Sequence, residues 1–281
     1  MLVKQCCEES INPRNLVDLV RYRFAFKRDH PDYFDADGLL IFVGPQGSGK
    51  TLSAVNYVYR LMQAYPACKL VTNLALSDYP IVTFDQWCAA RQLVPKSLTQ
   101  GGRAAAWSAY VHDNRVFEFV DNDDFTKYFN GEYGMIFLVD EIQLYLNSLM
   151  SKNINMEVVT QISQQRKQRK HIVATSQVFG RMAKPLREQF SSVVYCKSYF
   201  GQSLQCNALI DRDSMEGEDS TDTNLTGQVV RKFWYWRRPE MFERYDTYHV
   251  IEKGKFVHGE AQREGIYVAP AIVRVDEGGK R

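Results

Sequence analysis

One glycine-rich string constrains this chain more than any other feature. From Gly38 the sequence reads GLLIFVGPQGSGKTLSAVNYVYRLM. Leu39, Leu40, Ile41, Phe42 and Val43 form a short uncharged apolar run, which predicts a strand buried on both faces, as in parallel sheets. Gly44, Gly49, Lys50 and Thr51 then match G-x-x-x-x-G-K-[ST], and apolar residues at Leu52, Val55, Val58, Tyr59 and Met62 follow at helical spacing. Strand, glycine loop and helix in that order make a phosphate site. Glycines let backbone N–H groups curl inward around an anion, and the helix that starts there turns its positive end toward it. The expected cradle is Gly44, Pro45, Gln46, Gly47, Ser48, Gly49, Lys50, Thr51 and Leu52. Lys50 is expected to charge-stabilise the β- and γ-phosphates, and the Thr51 hydroxyl to hold Mg²⁺.

A second run completes the pattern. Met135 to Glu141 reads MIFLVDE, five apolar residues ending in two carboxylates. Ligands of open α/β sheets sit at the carboxyl ends of strands. Asp140 is therefore expected to serve Mg²⁺, and Glu141 to orient and deprotonate an attacking water. His171 to Ser176 is another apolar run, ending at Gln177, which is placed to sense the γ-phosphate. The expected fold is α/β: a P-loop NTPase domain with a mainly parallel central sheet flanked by helices, plus a C-terminal β-rich extension. The boundaries read from the chain are an N-terminal helical extension over 1–37, an ATPase domain over 38–200, and the extension with its acidic loop over 201–281.

Composition excludes several alternatives. The chain has 281 residues, 45% of them hydrophobic and 24% charged, with a net charge of +2. These are the proportions of an ordinary globular protein with a sizeable core. Six scattered cysteines without a C-x-x-C pair argue for reduced thiols rather than a zinc site or disulfide frame. No apolar run approaches the length of a membrane span, and the N-terminus lacks a signal-peptide pattern.

Outside these two runs the patterns are weaker. Ser10 is expected to cap a helix to about Arg28 with Leu16, Leu19, Val20 and Phe24 packed on the sheet and a basic opposite side. Lys69 to Asn73 predicts a strand, Ile81 to Phe84 a short one, and 91–115 a long excursion. Val116 to Val120 predicts a strand, Asp121 to Asn130 a short acidic helix, and Glu157 to Lys170 a helix. From Thr160 to Phe200 there are eight lysines and arginines against one acid, Glu188, a charge balance that suits a polyanion. Arg166 and Arg169 in that segment are also candidates to reach a neighbouring subunit's γ-phosphate. Beyond Ser191, the stretches Val193–Tyr199, Leu204–Ile210, Val229–Trp236 and Tyr248–Ile251 predict antiparallel strands, and Asp211 to Asp222 an acidic loop. Arg231 to Arg238 mixes cations with aromatics, as a single-strand stacking platform does. Aromatics packed on the main domain are the equal alternative.

Gly49-Lys50-Thr51, Asp140-Glu141, the segment from Arg166 to His171, and Ser176-Gln177 together resemble the Zot-like family. These are zonula-occludens-toxin-like, filamentous-phage assembly ATPases of the FtsK–HerA superfamily. The resemblance spans about Gly38 to Tyr195. It implies ATP hydrolysis with Mg²⁺, a hexameric ring and the movement of viral DNA during assembly, with capsid or membrane-complex proteins as partners. It also implies Gln177 as a sensor and Arg166 or Arg169 as the arginine acting in trans. Inner-membrane members carry a transmembrane helix after the ATPase domain. Its absence here favours a motor in the host cytoplasm, peripheral to a membrane or capsid. A nucleotide-gated assembly adaptor with little turnover is the alternative, and a small-molecule kinase the least favoured reading.

Overall fold

The computed structural model describes residues 13–35, 38–146, 160, 162–182, 184–211 and 227–246. Its apolar runs assemble one eight-stranded sheet. The strands are β1 Leu39–Val43, β2 Lys69–Thr72, β4 Val116–Glu118, β5 Met135–Val139, β6 Lys170–Ser176, β7 Ser192–Tyr199, β8 Leu204–Ile210 and β9 Val229–Trp236. Their order is β4-β2-β5-β6-β1-β7-β8-β9. Every pairing from β4 to β7 is parallel, and β8 and β9 extend that edge antiparallel. The expected α/β architecture with a mainly parallel sheet is what the chain forms. A two-residue β3, Ala75–Leu76, pairs with β10, Tyr245–Asp246, in a separate ribbon.

Strand alternation builds two cores, one on each face of the sheet. In β5, Met135, Phe137 and Val139 join the cluster that contains Ile41, Trp87, Tyr110 and Phe125. Ile136 and Leu138 join the other, with Phe42, Leu70 and Val173. Helix α2, Lys50–Ala64, covers this second face with Val55, Val58, Tyr59 and Met62, all at most 2% exposed. Each such side chain removed from water contributes roughly 1.5–3 kcal/mol. The helix is fixed to the sheet directly after the glycine loop, so the loop cannot drift from the strand ends.

Several expectations fail for local reasons. Ile81 to Phe84 is no strand. Thr83 closes a capping box with Gln86, each side chain meeting the other's backbone N–H, and starts helix α3, Phe84–Ala90. The expected excursion over 91–115 is present and holds helix α4, Gln100–Asp113, capped by Thr99. Gly101 and Gly102 are tolerated in its first turn. Residues 164–169 are turns rather than helix, and β6 begins at Lys170. Strand β7 pairs parallel to β1 and antiparallel only to β8. Helix α1, Pro13–Asp29, does not bury its apolar side: Leu16 is 63% exposed and Phe24 74%. Ser10, the acidic stretch from 212 onward and Tyr248–Ile251 lie outside the described residues. Among the described residues, no helix is long and apolar enough to cross a membrane.

Candidate nucleotide site

The sheet order places the site. β6 lies between β1 and β5, with Val43 opposite Ser176 and Val139 opposite Ala174. The residues that follow these strands, Gly44, Gln177 and Asp140, therefore emerge side by side at one end of the sheet. Ligands of open parallel sheets bind there.

The loop adopts the conformation its glycines permit. Gly44, Gly47 and Gly49 take φ values of 148°, 75° and 87°. A Cβ on Gly44 would lie 2.6 Å from the Cys196 carbonyl oxygen, and one on Gly49 would overlap Gln205 Oε1. Lys50 opens α2 while 6% exposed, and its ammonium donates to the Pro45 carbonyl at 3.2 Å. The cation thus folds back over the loop whose N–H groups would surround a phosphate. The Ser48 hydroxyl is buried with no partner among the described residues. An unpaired buried hydroxyl costs free energy that a bound acceptor would restore.

Asp140 is the meeting point of four elements. Its Oδ1 accepts from Thr51 Oγ1 at 2.8 Å and from Thr175 Oγ1 at 2.7 Å. Its backbone N–H donates to Asn73 Oδ1 and its carbonyl accepts from Asn73 Nδ2, both at 2.9 Å. Burial pushes the Asp140 carboxyl above the usual carboxylate range, against the pull of the two hydroxyls and of Lys50. A divalent cation would reverse that balance. Hydroxyl and carboxylate oxygens are the donors Mg²⁺ takes, alongside nucleotide phosphates and water, so Thr51 and Asp140 fit that ion.

Glu141 leaves the sheet in the left-handed region at φ 51°. Its N–H donates to Thr175 Oγ1 at 2.9 Å, which holds this conformation. The carboxylate accepts from Gln143 Nε2 and, at 3.2 Å, from Gln177 Nε2. Two amides thus fix a carboxylate beside the loop. The arrangement can hold a triphosphate, orient a water and take a proton from it.

Lys50, Thr51, Asp140, Glu141 and Gln177 therefore converge. Arg166 and Arg169 do not join them within one chain. They precede β6 and so stand at the opposite end of its seven residues, roughly 20–25 Å from Gln177. Arg169 stacks on the Tyr33 ring at 3.6 Å. Lys170, counted in the basic segment, is 4% exposed and donates to the Phe125 carbonyl at 2.6 Å, so it is no surface charge.

Sequence reasoning missed Asn73, Thr175 and Gln143, though Asn73 and Thr175 are polar residues at the ends of apolar strands. It also missed the grip of the last strands on the loop. Gln205 Nε2 donates to the Ser48 carbonyl at 3.0 Å, Ser198 Oγ to the Gly47 carbonyl at 3.3 Å, and Arg237 Nη2 to Gln205 Oε1 at 2.6 Å. Gln205 and Asn207, alternating in the otherwise apolar β8, were the available signal.

Fold and site define a P-loop α/β protein with a strand inserted between its loop strand and its acidic strand. Solved structures resemble it at a distance. The N-terminal domain of zonular occludens toxin from Neisseria meningitidis aligns over 75% of this chain and 100% of its own, at 16% identity and a TM-score of 0.45. The genome packaging NTPase B204 from Sulfolobus turreted icosahedral virus 2, in complex with AMPPCP, aligns over 63% of this chain and 94% of its own, at 11% identity and 0.43. Another solved ATPase domain aligns over 84% and 99%, at 12% identity and 0.41. Likeness this remote assigns no activity. No protein-family model matches the chain, and no curated protein matches it.

Proposed function

We propose that the chain binds and hydrolyses ATP at the Gly44–Leu52 loop. The observation that carries this reading is the Glu141 carboxylate, held by Gln143 and Gln177 next to the Thr51–Asp140 pair. In the proposed reaction Glu141 accepts a proton as the water oxygen bonds to the γ-phosphorus. The bond from that phosphorus to the β–γ bridging oxygen breaks, and ADP leaves with the electron pair. Lys50 and the loop N–H groups neutralise charge on the phosphate oxygens. Thr51 and Asp140 would hold Mg²⁺, which would supply charge neutralisation to the triphosphate. Gln177 couples the loss of the γ-phosphate to β6.

Hydrolysis then drives viral DNA during virion assembly, as the motif resemblance to Zot-like ATPases suggests. In this proposal the chain works in the host cytoplasm as a hexameric ring, docked on capsid or membrane-complex proteins. Arg166 or Arg169 reaches a neighbour's γ-phosphate, a geometry that their distance from their own loop would require. The test is phosphate release by purified protein with and without DNA. Stimulation by DNA that is lost in Lys50→Ala and Glu141→Gln supports the motor. Hydrolysis indifferent to DNA contradicts it.

The exposed apolar side of α1 favours a second reading, a nucleotide-gated adaptor that binds protein partners. A partner complex that needs bound ATP and survives Glu141→Gln would select it.

A further inference from the structure

Strands β7, β8 and β9 present different chemistry on their two faces. Residues directly opposite in a ladder share a face. The rung Ser198–Gln205–Tyr235 faces the loop and α2, where Gln205 and Ser198 hold loop carbonyls and Tyr235 meets Ser53 at 2.9 Å. The alternate rungs are Tyr199–Leu204–Trp236, Lys197–Cys206–Trp234 and Tyr195–Ala208–Lys232. They point the other way.

That outward face is aromatic, cationic and open. Trp234 is 53% exposed and Trp236 64%, which favours the stacking reading of this stretch over aromatics packed on the domain. The Tyr199 and Trp234 rings lie 5.6 Å apart, and Lys197 Nζ is 5.2 Å from the Tyr199 ring centre. The small buried side chains Cys206 and Ala208 form the floor between the larger ones. Successive same-face residues along a strand are about 7 Å apart, so Trp234 and Trp236 offer consecutive ring surfaces. The residues 192–210 and 229–238 contain Lys197, Arg231, Lys232, Arg237 and Arg238 and no aspartate or glutamate.

We infer that the outward face of β7–β9 is a stacking platform for single-stranded nucleic acid, with Tyr199, Trp234 and Trp236 against bases and Lys197 and Lys232 against phosphates. Exposed rings need unpaired bases, because only those offer a free π-face, and the lysines supply the backbone attraction. A duplex hides its base faces. A second copy of this chain would set cation against cation, which disfavours self-docking. The inference deepens the DNA half of the proposed function by naming strandedness and the surface. Its test uses no hydrolysis, so the failure of one is distinguishable from the failure of the other.

The experiment is titration of the full chain with a labelled oligothymidylate, read by anisotropy and by tryptophan fluorescence. Single-strand binding with quenching is expected. Trp234→Ala with Trp236→Ala should lower the affinity at least tenfold with the thermal midpoint unchanged, since both rings are exposed. The paired Trp→Phe variant should keep most of the affinity. Lys197→Glu with Lys232→Glu should weaken binding and flatten its salt dependence. Equal affinity for a duplex of the same length would overturn the inference, as would a double alanine variant that binds like the wild type. So would a chain that binds no oligonucleotide but self-associates through these tryptophans.

Discussion

Thr51 donates its hydroxyl proton to Asp140 Oδ1 across 2.8 Å, although 89 residues of chain separate them. This contact joins the loop to the acidic strand end, and both residues are fixed from behind, Thr51 by α2 and Asp140 by Asn73 and Thr175. In the proposed function Thr51 is a Mg²⁺ donor, and removing its hydroxyl takes that donor away without opening a core cavity. Thr51→Ala should weaken Mg·ATP binding by tenfold or more in a fluorescent-nucleotide titration, with little change in melting. Asn73→Ala should act the other way round. It leaves the Asp140 backbone N–H and carbonyl unpaired in the interior, at a cost of about 1–3 kcal/mol each. A drop of several degrees in the melting midpoint is the expected readout.

In the proposed reaction Glu141 and its two amides serve chemistry rather than binding. A positioned general base contributes about 10²–10⁴-fold in rate. Glu141→Gln should lose that factor in phosphate release. Gln177→Ala should lose less, because Gln143 still orients the carboxylate. Gln143→Ala with Gln177→Ala should fall below either single variant. Single-turnover phosphate release checks this series.

Gln205 holds the back of the loop through the Ser48 carbonyl and carries Arg237 on its own side-chain oxygen. Gln205→Leu fills a similar volume but drops these bonds. Nucleotide affinity should fall several-fold although Gln205 lies behind the Gly44–Leu52 loop. Gly49→Ala should weaken binding severely, since φ 87° strains any L side chain and its Cβ would displace Gln205 Oε1 and Arg237 Nη2. Isothermal titration with a non-hydrolysable analogue measures both.

Lys170 sets a pH dependence of stability. Burial lowers its pKa from 10.5 to about 8. Between those values the unfolded chain binds a proton that the folded chain does not, so stability attributable to this residue rises with pH across that window. Below pH 8 the burial penalty is constant. Relative to Lys170→Met, the wild type should therefore gain stability from pH 8 toward 10.5. Denaturant midpoints of the two proteins at several pH values test the sign.

The sequence disclosed what depends on local pattern. The loop glycines, the five apolar residues before Asp140 and the β9 run from Val229 to Trp236 each carry their structure in their own residues. Ile81 to Phe84 misled because a capping box at Thr83 and Gln86 outweighed a short apolar run. The parallel pairing of β7 with β1 was not legible, since pairing direction is set by partners more than a hundred residues away. The same distance hid the contact of Gln205 and Arg237 with the loop. The apolar stripe of α1 reads as buried by its spacing, yet the helix leaves it open, and spacing alone does not say what covers a face.

The most direct test of the site is a paired measurement on Glu141→Gln and Lys50→Ala, of ATP affinity and of phosphate release. Glu141→Gln is expected to bind Mg·ATP within a few-fold of the wild type and to release almost no phosphate, while Lys50→Ala binds none. Wild-type phosphate release by Glu141→Gln, or wild-type affinity in Lys50→Ala, would show that the loop and the Asp140–Glu141 strand end do not act as one nucleotide site.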